Sequence, residues 1–166
     1  MDETKPIGAD ATGYEYLKKV IRNLLNQFPG LDGKEIKFEE LGVDHGIAFS
    51  SDSGALVMSE RRSITDHVTQ TCQFPFFVVY RTASTRDFHK MRVSEFLDNL
   101  GKWLSKEPVE INGTTFRLAS YPIIADGRNI TKITRNNSYG TTPMENGAQD
   151  WLLPVSVQYK YEYDIL

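Results

Sequence analysis

Apolar residues recur at helical spacing early in the chain: Tyr14, Leu17, Ile21, Leu24, Leu25 and Phe28 share one face, with Lys18, Lys19, Arg22 and Asn26 opposite. Thr12 followed by Glu15 has capping-box spacing and predicts the start of this helix, and Pro29-Gly30 ends it. Residues 1–11 show no periodicity and are expected to form a flexible arm. The period then shortens to two. Residues 35–41 alternate through Ile36 and Phe38, residues 46–50 give a second short strand, 51–54 carry turn chemistry, and 55–59 give a third strand before the polar stretch 60–63. Residues 64–83 form the longest strand-like region, built on Phe74-Pro75-Phe76-Phe77-Val78-Val79-Tyr80. A run apolar on both faces predicts a central strand covered on both sides. Pro75 is then expected at a bulge or where the strand enters the sheet.

Ser84 with Asp87 repeats the capping pattern, and Phe88, Met91, Phe96, Leu97, Leu100, Trp103 and Leu104 predict a second amphipathic helix ending before Pro108. Asn112-Gly113, between Val109-Glu110-Ile111 and Thr114-Thr115-Phe116, is a strong hairpin signal. Residues 128–147 read as a strand of modest quality followed by a long polar loop, placed at 135–149. In the last strand Val155, Val157, Tyr159, Tyr161 and Tyr163 alternate with Ser156, Gln158, Lys160, Glu162 and Asp164, so one face is apolar and aromatic and the other wet. The order predicts a single α+β domain over residues 1–166, with a mainly antiparallel sheet and two principal helices packed against it.

Composition narrows the class. With 166 residues, 40% hydrophobic and 25% charged, the chain has enough apolar material for a real core. A net charge of −3 argues against nucleic-acid binding by bulk electrostatics. The charge is unevenly spread: residues 1–60 carry 6 basic and 11 acidic side chains, 61–135 carry 12 and 7, and 136–166 carry 1 and 4. An acidic–basic–acidic order suits copies docking through complementary surfaces, although it also describes a mixed, solvated exterior. The single cysteine, Cys72, permits no intrachain disulfide and is expected to be buried and inert. Residues 1–13 are acidic and polar, unlike a secretory signal, and the longest apolar run is too short to span a bilayer.

Reactive chemistry finds little support. His45, His67 and His89 are spaced 22 residues apart, and His45 beside Asp44 is the best local pair, short of the ligands a metal needs. Neither a nucleophile elbow nor a phosphate-binding glycine loop occurs. Glu39-Glu40 would point to opposite faces of a strand. No catalytic residue, metal or cofactor is expected. Arg61-Arg62 falls in a predicted hairpin-like loop, read first as solvated and second as a contact to a neighbouring subunit or to DNA. The tyrosine face of the last strand has acidic rather than basic neighbours, which favours packing or a subunit interface over base stacking.

Taken together, several segments resemble the tail terminator (tail completion) and minor capsid family of long-tailed bacteriophages. They are the N-terminal helix, the strand ending Phe76-Phe77-Val78-Val79-Tyr80-Arg81, the helix Phe96-Leu97-Asp98-Asn99-Leu100-Gly101-Lys102-Trp103-Leu104, and Asp150-Trp151-Leu152-Leu153-Pro154-Val155-Ser156-Val157-Gln158-Tyr159. The likeness covers about three quarters of the chain. It implies a virion protein of the tail or neck, assembled in the bacterial host cytoplasm, that closes into a ring, usually of six copies. The implied partners are other copies of itself, the tail tube protein, the head–tail connector and, in passing, the DNA threading the ring, with no membrane. Arg61, Arg62, Arg128, Arg135 and Tyr139 are the expected subunit or lumen contacts. The alternatives are another neck, head-completion or tail-tube component and, from a different class, a small enzyme or nucleic-acid-binding factor.

Overall fold

The computed structural model describes residues 5–83 and 86–165. In chain order the elements are β1 (Gly8–Ala9), α1 (Ala11–Leu25), β2 (Ile36–Phe38), β3 (Gly46–Ser51), β4 (Leu56–Arg62), β5 (His67–Thr82), α2 (Asp87–Leu104), β6 (Val109–Ile111), β7 (Thr114–Phe116), β8 (Arg128–Arg135), β9 (Tyr139–Gly140) and β10 (Gln149–Asp164). The fold is α+β, with a mostly antiparallel eight-stranded sheet and a separate β6–β7 hairpin. Only the β2–β3 pair is parallel among the described pairings.

Two 16-residue strands, β5 and β10, form the spine and pair antiparallel along their whole length, from Thr82↔Gln149 to His67↔Asp164. Each is flanked on its outer side by two short strands in tandem. Against β5 lie β3, opposite Phe76–Arg81, and β4, opposite Val68–Gln73. Against β10 lie β8, from Val155 to Tyr161, and β9, at Trp151 and Leu152. The two spine prolines sit mid-strand, opposite the breaks between these short strands. The Asp52 N–H donates to the Pro75 carbonyl at 3.2 Å, and the Asn136 N–H donates to that of Pro154 at 3.0 Å. A strand residue directs its N and O to the same side, so each missing N–H faces a gap where no ladder bond is lost. Pro75 thus needs neither of the positions predicted for it.

Alternation along the spine separates two faces. Cys72, Phe74, Phe76 and Val78 of β5, with Leu153, Val155, Val157 and Tyr159 of β10, are buried beneath both helices. Leu17, Ile21, Leu24 and Leu25 bring α1 onto this face, and Val93, Leu97, Leu100, Trp103 and Leu104 bring α2. Phe28 joins the helices edge-on to Phe96 and tilted against Trp103, each at 5.6 Å between ring centroids. The Asn112-Gly113 turn forms as predicted, with both residues at positive φ (51° and 81°).

Several expectations are corrected. Instead of a wholly flexible arm, Gly8–Ala9 pairs with Leu56 and Val57, and Asp10 is buried; residues 1–4 lie outside the described residues. The N-cap of α1 is Asp10 rather than Thr12, because its carboxylate takes the Gly13 N–H at 3.0 Å. Ser84, the predicted cap of α2, lies outside the described residues, and the observed N-cap Arg86 makes no side-chain cap bond. Phe88 and Met91, which share the helical spacing of the α2 stripe, are 71% and 70% exposed, since the first turns of α2 overhang the sheet and Val93 is its first buried side chain. Glu39 and Glu40 lie past the end of β2. Residues 60–62 extend β4 rather than forming a loop, and the 135–149 loop contains β9. The second face of β5, expected to be covered, carries half-buried Pro75 and Phe77 beside buried Val79, because both helices lie on the other side.

Candidate interaction surfaces

The five residues predicted as contacts are scattered. Arg61 and Arg62 end β4, exposed and opposite Thr69 and Val68, with Arg62 bonded to Asp66 at 2.8 Å. Arg135 ends β8 against Gly101 of α2, with Glu107 at 3.8 Å. Tyr139 sits in β9, 47% exposed, opposite Leu152. Arg61 and Tyr139 therefore mark opposite ends of the spine, about ten residues or ~33 Å apart along β10. Arg128 is no surface residue at all. It is 2% exposed, which removes it from any lumen or subunit contact.

Arg128 belongs to a buried polar cluster that the sequence did not announce. Its Nε and Nη2 donate to the two Asp10 carboxylate oxygens at 2.9 and 2.7 Å, and its guanidinium lies 3.8 Å from the Tyr161 ring centroid. The Tyr159 hydroxyl donates to Asp10 at 2.6 Å. Burial alone would raise the Asp10 pKa, but the bonds from Arg128, Tyr159 and Gly13 hold it below the ordinary carboxylate value. Burial and the Asp10 carboxylate push the Tyr159 phenol upward, so it stays protonated. Gly13 is required here, because a Cβ would run into the Asp10 carboxylate and come within 2.8 Å of Arg128 Nε. The cluster ties the start of α1 to β8 and β10.

Other chemistry-bearing groups are dispersed. His45 Nδ1 lies 2.9 Å from Asp44 on the surface, and His67 contacts Asp164 at 2.8 Å and Glu162 at 3.3 Å. His89 meets Thr82 at 3.1 Å. Among the described residues no group of three or more His, Cys, Asp or Glu is placed to hold a metal ion. Burial pushes the Cys72 thiol up to about 11, far from a reactive thiolate. No described helix is long and apolar enough to cross a membrane.

The surface shows where contacts can form. Val43, Phe88, Met91, Tyr139 and Met144 are exposed around the end of the spine formed by the close of β5 and the start of β10. At the opposite end, Ile64 caps the β4–β5 turn at 103% exposure, and Ile165 is 40% exposed, bonded through its N–H to the Asp66 carbonyl. Between the ends, the face away from the helices presents Pro75, Phe77, Leu152 and Pro154, half-exposed among Thr69, Thr71, Gln73, Ser156 and Gln158.

No protein-family model matches the chain, and no curated protein sequence does either.

The chemistry available to these surfaces is association. Apolar side chains held in water on a rigid sheet favour burial by about 25 cal/mol per Å² covered. Arg81 keeps one of the loops involved in place: it pairs bidentately with Asp150 at 2.7 and 3.0 Å and donates to the Gly42 carbonyl at 3.0 Å. Asn146 donates to the Val43 carbonyl at 3.2 Å. The apolar tips at this end are therefore presented by braced loops.

Proposed function

We propose that this chain is a structural virion protein of the phage tail terminator type, a ring of identical copies set between the tail tube and the head connector. In this reading it stops tube elongation, joins the tail to the head and performs no chemistry. The observation that carries it is the exposure of large apolar residues at both ends of the spine, which suits a part that must bind something different above and below. A ring also needs two unlike lateral patches. Beyond Val57, β4 has no outer partner among the described residues, and the outer side of β8 carries only the Ile123↔Asn129 bridge. These free edges lie on opposite sides of the sheet and leave backbone donors and acceptors for a neighbour. They equally suit a tube or neck component, which would polymerise where a terminator closes.

Negative-stain images and the mass of the purified particle test the proposal: closed rings of fixed size support it, and open fibres favour the tube reading. A chain that remains single both alone and with tail tubes would overturn it. Arg61→Glu with Arg62→Glu is expected to weaken lateral assembly, whereas an unchanged particle would remove that pair from the contacts.

A further inference from the structure

We propose that the end of the molecule bearing Val43 and Phe88 is self-complementary and binds the same end of a second copy about a two-fold axis. Two patches lie side by side there. The first is acidic with an apolar tip: Val43, 79% exposed, and Met144, on loops joined by the Asn146–Val43 bond. Asp44 and Glu145 are their chain neighbours, Glu39 and the Lys37-paired Glu40 (3.9 Å) precede the first loop, and no Lys or Arg occurs in residues 38–60 or 136–159. The second patch is basic with an apolar pair: Phe88 and Met91, each about 70% exposed, on the opening turns of α2. Lys90 and Arg92 accompany them, with Asp87 and Glu95 as the acids of these turns, and Arg92 lies over the Phe88 ring at 5.6 Å.

Between the patches lies a hollow of about 340 Å³, lined by His45 beside the acidic loop and His89 beside the basic turns, with Lys34 and Glu35 also on its wall. Adjacency decides the symmetry. Patches on opposite flanks would chain copies head to tail, but neighbouring patches of opposite charge are both satisfied when a second copy is turned by half a rotation over the same hollow. Each acidic loop then lies on the other copy's α2, Val43 and Met144 meet Phe88 and Met91, and the contact closes at two. This pairing does not rest on the tail reading: it doubles whatever unit the chain forms, from one copy to two or from one ring to two rings face to face.

Sedimentation at low salt reads the doubling directly. Wild type is expected to pair, and pairing should weaken as salt screens the charges. Asp44→Lys with Glu145→Lys, and separately Lys90→Glu with Arg92→Glu, should each weaken pairing at least tenfold while circular dichroism shows the fold unchanged. An equimolar mixture of the two variants should pair again, because each then offers the other the opposite charge. Phe88→Ser should weaken pairing without altering its salt dependence. A wild-type unit that never doubles at low salt, a charge-reversed variant that pairs normally, or a mixture that fails to recover would overturn the proposal. A chain that forms no ring but still doubles would count only against the ring.

Discussion

Neutralising Asp10 should unfasten α1 from the sheet. In Asp10→Asn the amide oxygen still accepts from Gly13, so the helix cap survives and the loss isolates the charge. Arg128 stays cationic in the variant, because a guanidinium keeps its proton at neutral pH even without the Asp10 carboxylate that raises its pKa in the wild type. Its remaining carboxylate is Asp126, at 3.3 Å and 60% exposed. Removing one partner of a buried pair costs about 3–5 kcal/mol. The lower value applies here because Asp126 and the Tyr161 ring still face the guanidinium. A loss of about 3 kcal/mol, over a urea slope of about 2 kcal/mol per M, moves the midpoint by about 1.5 M. That is a large part of the roughly 5–15 kcal/mol that holds such a domain folded.

The assay is urea unfolding at pH 7 and fixed protein concentration, followed by circular dichroism and by Trp103 and Trp151 fluorescence. Adding Arg128→Met should restore part of the loss, because no unpaired charge then remains inside. The pH dependence has a definite sign. The folded Asp10 pKa lies below the unfolded one, so its contribution is present above the unfolded value near 3.9 and is lost as pH falls through the folded value. Wild type and Asp10→Asn should therefore converge in acid. A midpoint shift under about 0.3 M at pH 7, with no convergence, would refute the idea that this pair is a desolvated lock.

The remaining predictions concern the ends and the core. His67 is raised above its ordinary 6.5 by its bonds to Asp164 and Glu162, so its stabilisation is full below 6.5 and fades as pH rises through the higher folded value. His67→Gln should flatten the melting temperature against pH in that window, and an unchanged slope would dismiss the contact. Leu97→Ala, at a fully buried position, should cost about 2–5 kcal/mol in urea unfolding. Phe88→Ala on the same helix should change stability by no more than about 0.5 kcal/mol, and equal losses would contradict the observed facing of α2. Cys72 should resist a thiol reagent in the native protein and react at the rate of unfolding; rapid labelling would contradict its burial.

Much of the local structure was legible because local periodicity reports which way neighbouring side chains point. The 3.6-residue stripe of Leu17, Ile21, Leu24 and Leu25, the strict alternation of Val155, Val157 and Tyr159, and the Asn112-Gly113 turn each depend on a few adjacent residues, and each stands as read. So does the α+β class, which follows from the order of those elements. The boundaries that failed are those settled by contacts elsewhere. Thr12 and Glu15 have proper capping spacing, yet Asp10 takes the cap because Arg128 and Tyr159 draw its carboxylate inward. Residues 60–62 are polar enough for a loop, yet β5 supplies a strand for them to pair with.

Amino-acid order by itself determined the kinds of element and the alternating faces of the spine. Only the tertiary structure decided which face the helices cover and which charges are sealed inside. Arg128 has an ordinary polar setting in the chain, and the buried carboxylate that holds it, Asp10, stands 118 residues away. Phe88 and Leu97 carry the same apolar signal, but one overhangs the end of the sheet while the other lies over its middle. Burial is fixed by what arrives from distant parts of the chain, and short-range spacing carries no record of that.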